Sequence, residues 1–193
     1  MAGAIIQKQT SSGINPLKFT LWLIIISIIM MFAAFTSAYI VRKEEGNWLE
    51  FSLPNNLLIN TLILIVSSVC MQLAYTAARK DNLNQLKVFL AGTLVLGIAF
   101  LVGQWQAWSN LVNNRVFFGG VDANPSGSFL YVLTGVHGFH LVTGLIFVLI
   151  VLVSSFQFKV HSKNLLRIEL CTIYWHFLGG LWVYLYLFLF LNH

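Results

Sequence analysis

Two short stretches place imidazoles inside apolar sequence. His137 and His140 stand in GVHGFH at 135–140, and His176 stands in YWHFLGG at 174–180. An imidazole can ligate a metal or carry a hydrogen bond at each ring nitrogen. Two imidazoles on facing helices at matched depth would hold a haem iron axially. The other reading is that the three rings join helix to helix, each bond contributing roughly 0.6–2 kcal/mol in a membrane. Gly135 and Gly138 flank His137 and predict a close helix approach, which leaves little space for a porphyrin.

The elements that must position these rings follow from composition. Of 193 residues, 58% are hydrophobic and only 9% charged, where soluble domains carry about 25% charged residues. The mean hydropathy is +0.81. This is the composition of an integral membrane protein. Charges are few enough to place singly, and they leave five long gaps. These are Phe19–Val41 (23 residues), Phe51–Ala78 (28), Val88–Asn114 (27), Ala123–Phe158 (36) and Leu170–His193 (24). A bilayer core of about 30 Å needs about 20 apolar residues in a helix. Backbone groups in lipid must be satisfied within the segment, so runs this long read as helices. The spacing predicts an all-α bundle of five transmembrane helices at about 17–42, 56–79, 86–110, 128–156 and 168–191. It forms one domain over 17–193, after a polar tail at 1–16 in which Pro16 suits a helix first turn.

Counted by helix end, Lys8, Lys18, Arg79, Lys80, Lys87, Lys159, Lys163 and Arg167 lie on the side of the N-terminus, eight in all. Arg42, Lys43 and Arg115 lie opposite, three in all. The positive-inside bias predicts a cytoplasmic N-terminus and an outer C-terminus. The net charge of +5 therefore reads as topology and not as nucleic-acid binding. The first apolar run exceeds a signal-peptide core of about 7–15 residues. Cys70 and Cys171 fall mid-span on different helices, without metal-ligand spacing.

No Asp, Glu, Lys or Arg lies at depth, and Glu169 stands only at the cytoplasmic edge of the fifth span. Proton relays and ion pathways usually need such a group, so an autonomous pump is not indicated. His140 lies about 16 Å from the outer end of its span and His176 about 12 Å from the inner end of its own. Depth alone leaves the haem reading open. Gln104, Gln106, Thr36, Ser37, Ser67, Ser68, Thr134 and Tyr174 are further candidates for interhelical bonds. Glu169 is expected to pair with Arg167 or Lys163. Arg79, Lys163, Arg167 and Trp175 are the candidates to meet lipid headgroups, and Trp48 to anchor the first outer loop. Ala34 with Ala38, Ala74 with Ala78, and Gly135, Gly138 and Gly144 recur at helix-contact spacing, which suits a bundle or docking on a larger membrane partner.

GSFLYVLTGVHGFHLVTGLIFVL at 127–149 resembles the sixth helix of subunit III of the haem–copper oxidases, with its T-G-x-H-G-x-H pattern. ELCTIYWHFLGGLWVYLYLFLFL at 169–191 resembles the last helix of that subunit, with its E followed by Y-W-H-F. SIIMMFAAFTSAYIVR at 27–42 resembles its third. Nearly the whole chain after the tail is covered, and the chain is similar to the short, five-helix form. The resemblance implies an accessory subunit of a terminal oxidase that carries electrons to dioxygen. Haems and copper would then sit in partner subunits I and II, and none in this chain. Structural phospholipids would be ligands, a respiratory supercomplex a further partner, and the bacterial cytoplasmic (inner) membrane the location. A short subunit of a quinol oxidase or a nitric oxide reductase is the related alternative, and a bis-histidine haem anchor the unrelated one. The chain departs from the family where acids are frequent: Ile28, Ala107 and Gly179 stand at those positions. Proton handling by those carboxylates is thus not expected of this chain.

Overall fold

The computed structural model describes residues 15–46, 48, 56–120, 124–156 and 165–192. Among them are five helices: α1 Pro16–Glu44, α2 Asn56–Arg79, α3 Leu83–Asn113, α4 Pro125–Phe156 and α5 Leu166–Asn192. Each is long and apolar enough to cross a membrane. The five expected spans are all present, and the chain is an all-α membrane bundle.

Local chemistry sets the helix ends. Asn15 caps α1 by accepting the Leu17 amide at 3.1 Å, and Pro16 occupies the first helical position, where its missing N–H costs nothing. The Asn124 side chain takes the Ser126 amide at 3.1 Å, so α4 starts at Pro125, three residues before the expected point. α3 likewise begins at Leu83 because Asn82 caps it. The α2–α3 turn is three residues long and places Asp81 at φ 54°. Asp tolerates that left-handed region better than most residues. A 3.0 Å bond from the Asn82 amide to the Ala77 carbonyl closes the turn.

α2 and α3 form a hairpin packed along its length, with Ala74, Ala78, Leu86 and Leu90 fully buried. α5 packs on α1, α2 and α4, and α3 closes the circuit between α2 and α4. α1 touches only α4 and α5. The densest part of the core surrounds Trp175 and Trp182 of α5, each 1% exposed. Room for Trp175 comes from two glycines. A methyl group at Gly97 would lie 2.6 Å from Leu145 and 2.9 Å from the Trp175 ring, and one at Gly144 would lie 2.9 Å from Leu178. The small-residue expectation holds at Ala74, Ala78 and Gly144. Ala34 and Ala38 are exposed, and Gly138 has open space where a side chain would project, so within the bundle these three make no such contact. The close approach is about two turns beyond His137, at Gly144, because that is where the indole must fit.

Candidate functional site

The three histidines occupy three different environments. His176 projects from α5 toward α2. Its Nδ1 lies 2.5 Å from the Ser68 hydroxyl and its Nε2 lies 3.0 Å from the Gln72 carbonyl oxygen. Ser68 and Gln72 are four residues apart, so they share one face of α2 and grip the ring from both sides. The amide oxygen can only accept, so Nε2 carries the proton and Nδ1 accepts from Ser68.

His137 is fully enclosed. Its ring lies 5.0 Å from Trp182 and 6.1 Å from Phe100, centroid to centroid. Neither ring nitrogen has a hydrogen-bond partner among the described residues. The Trp182 indole N–H donates to Thr61 at 3.0 Å. One layer therefore joins α2, α5, α4 and α3 through Thr61, Trp182, His137 and Phe100. Gln104, one turn along α3 from Phe100, is 3% exposed and has no partner at either amide atom among the described residues.

His140 turns the other way, with its ring 6.1 Å from Phe32 of α1. Its Nδ1 donates to the Val136 carbonyl of its own helix at 2.8 Å, and among the described residues it makes no interhelical hydrogen bond, contrary to expectation. That bond leaves Nε2 as an acceptor, and His140 lines a cleft of about 620 Å³ between α1, α4 and α5. Leu21, Ile24, Ile28, Phe139 and Phe147 form its apolar walls. Thr143 and Tyr174, joined at 2.9 Å, add hydroxyls. Tyr174 and His176 are two residues apart on α5, about 200° around the helix. His140 and His176 therefore lie on opposite sides of α5, one with α1 and one with α2. No single porphyrin spans both, and the paired-imidazole haem reading fails on geometry.

The charged candidates sit at the helix ends. Glu169 pairs with Lys18 of α1 at 2.6 Å, which corrects the expected partners Arg167 and Lys163. Arg167 reaches Ser154 at 3.5 Å, and Lys163 lies outside the described residues. Arg79 stands 6.0 Å over the Tyr75 ring, exposed at the same end. Trp175 does not meet headgroups. At 1% exposure it is a core side chain, because the notches at Gly97 and Gly144 draw it inward. At the opposite end Trp48 packs on Tyr39 at 4.7 Å, and the Asn192 carbonyl accepts from Lys43 at 2.5 Å and from Tyr39 at 3.3 Å. Interhelical bonds expected at Thr36, Ser67, Thr134 and Tyr174 are present, to Tyr184, Thr93, Trp108 and Thr143 respectively. Gln72, Thr61 and Thr143 were not singled out in the sequence. The Ser68/Gln72 spacing on one helical face was the available signal.

These features define a class: a multi-pass membrane bundle whose intramembrane polar groups serve helix contact and line one cleft. Among the described residues no cluster of three or more His, Cys, Asp or Glu could hold a metal ion. The chain belongs to the cytochrome c oxidase subunit III family, which matches residues 1–192. Cytochrome bo(3) ubiquinol oxidase subunit 3 of Buchnera aphidicola subsp. Schizaphis graminum is 27% identical over 188 residues, covering 92% of this chain and 95% of that protein. Cytochrome c oxidase subunit 3 of Synechocystis sp. is 33% identical over 165 residues, covering 81% and 67%. A probable cytochrome c oxidase subunit 3 of Nocardia farcinica is 28% identical over 165 residues, covering 83% and 80%. The chain is thus similar to subunits of oxidoreductase complexes, and association with other oxidase subunits follows from the family.

Proposed function

We propose that the chain is an accessory subunit of a respiratory haem–copper terminal oxidase in a bacterial cytoplasmic membrane. It packs against subunit I, keeps that subunit stable during turnover and holds structural phospholipid, while subunits I and II carry the haems and copper. The cleft along α1 carries this reading. Its walls are apolar and match acyl chains, and it starts at Thr20 beside the Lys18–Glu169 pair. Arg79 and Arg167 stand at the same end and suit phosphate headgroups, a role proposed for Lys163 from the sequence alone. The positions where the family frequently has acids support a non-catalytic role. Ile28 and Ala107 are buried apolar side chains, and Gly179 places no charge beside Ser68. A buried carboxylate without partners costs several kcal/mol to keep charged, and this chain holds none at those points.

The electron donor is either cytochrome c or a quinol. The relatives carry both names, and donor choice rests with other subunits. Oxygen consumption by purified complexes with and without the chain tests the proposal. The complex lacking it should begin at a substantial fraction of the normal rate and inactivate over many turnovers. Immediate total loss of activity, with subunits I and II and all metals intact, would show direct participation and refute the accessory role.

A further inference from the structure

The Ser68–His176–Gln72 group has a direction. Ser68 donates to Nδ1, Nε2–H donates to the Gln72 oxygen, and the chain of bonds ends on the Gln72 amide nitrogen. Two N–H donors remain there, and no hydrogen bond among the described residues reaches them. Gln72 is exposed on the bundle surface. It lies seven residues from Arg79, about 10 Å inside that end of α2, and His176 is as far from Glu169 on α5. Both are therefore at hydrocarbon depth. Acyl chains offer no acceptor there, and an unsatisfied amide donor in hydrocarbon is strongly disfavoured. The Gln72 side chain cannot swing toward the interface without releasing His176.

The surface around it has a shape as well. Gln72, Ser68 and His176 border a groove of about 330 Å³ between α2 and α5, whose other wall includes Gly179, Gly180 and Val183. Nothing lies within 4 Å of the position a side chain at Gly180 would take. The groove is thus a notch into which a helix backbone can settle closely.

We infer that the α2–α5 face is the docking surface for a transmembrane helix of another chain, one that presents a hydrogen-bond acceptor oxygen at the level of Gln72. The occupant is taken as a different chain because the family's members are subunits that associate with other oxidase subunits. A second copy, whose Gln72 oxygen keeps one free lone pair beside the His176 bond, is an outcome that cross-linking distinguishes. The inference rests on the reading of the chain as one subunit of a larger membrane complex.

A benzophenone side chain introduced at Ile65, an exposed residue on the lip of the groove, tests it in the complex purified from native membranes. Irradiation should join it to a transmembrane peptide of a different chain, identified by mass spectrometry, with an acceptor side chain or free carbonyl within one turn. Cross-links to phospholipid alone, or to a second copy of this chain, overturn the inference. In parallel, Gly180→Leu fills the notch without an internal clash. It should leave the amount of chain in the membrane unchanged and lower retention of its partner in mild detergent severalfold. Retention equal to the unaltered chain also overturns it. If no oxidase subunit co-purifies with the unaltered chain, the proposed function fails; if oxidase subunits co-purify and Ile65 meets only lipid, the docking surface alone fails.

Discussion

Trp175 depends on what is missing opposite it. Gly97 and Gly144 leave the volume its ring fills, and each lies on a different neighbouring helix. Gly144→Val should therefore overpack the core by about 1–3 kcal/mol, read as a lower midpoint in detergent-induced unfolding, while Gly180→Ala at an open site should not. The histidines separate in the same assay. His137 has no hydrogen bond to lose, and burying an unpaired polar group costs roughly 1–3 kcal/mol. His137→Phe should be neutral or stabilising. His176→Ala removes bonds to Ser68 and Gln72 and should cost roughly 1–2 kcal/mol. Both variants should leave the haem spectrum of the assembled complex unchanged. Depth of these rings was legible in sequence, since apolar runs fix position along a helix. Their partners were not, because partner choice depends on how each helix is rotated about its axis, and no charge pattern marks that here. The GxxG around His137 misled for this reason: Gly138 points to open space, and the tight contact is at Gly144.

The five helices were legible because charge is excluded from hydrocarbon, and the gaps between charges measure the membrane. Their ends were less so. α3 extends three residues past the expected limit at each end, since a helix stops at a cap or a turn and not where the lipid does. The pairing of Glu169 was also misread. Sequence neighbours looked adequate, yet its partner Lys18 is 151 positions away on α1. That pair and the Asn192 carbonyl with Lys43 fasten α1 at its two ends, with the cleft between. The Lys18 and Glu169 side chains are 37% and 32% exposed, so their coupling should not exceed about 1 kcal/mol. Lys18→Glu should loosen that end of α1, read as faster proteolysis or hydrogen exchange there. Adding Glu169→Lys should restore protection. No recovery in the double variant would show that the pair does not hold the helix.

For the whole molecule, the five described cations Lys18, Arg79, Lys80, Lys87 and Arg167 gather at one end, and Arg42, Lys43 and Arg115 at the other. A cytoplasmic basic end requires that a cysteine at Lys80 resist a membrane-impermeant thiol reagent applied to intact cells, and that one at Phe118 react. The reverse pattern would invert the topology. The restricted contacts of α1 also impose an order in time. The ribosome delivers α1 before α2 to α5, yet its neighbours are α4 and α5, and α5 begins only at Leu166. At about 5–20 residues per second, α1 waits on the order of ten seconds in lipid before its second neighbour exists. It is equipped to wait. Thr20, Ser27 and Thr36 each bond a carbonyl of their own helix, so these three hydroxyls need no neighbour. Tyr39 and Lys43, near its far end, find their acceptor only in Asn192, the last described residue. Of the five described helices the earliest made is the last one secured, and until α5 emerges the cleft beside it stands open for lipid to enter.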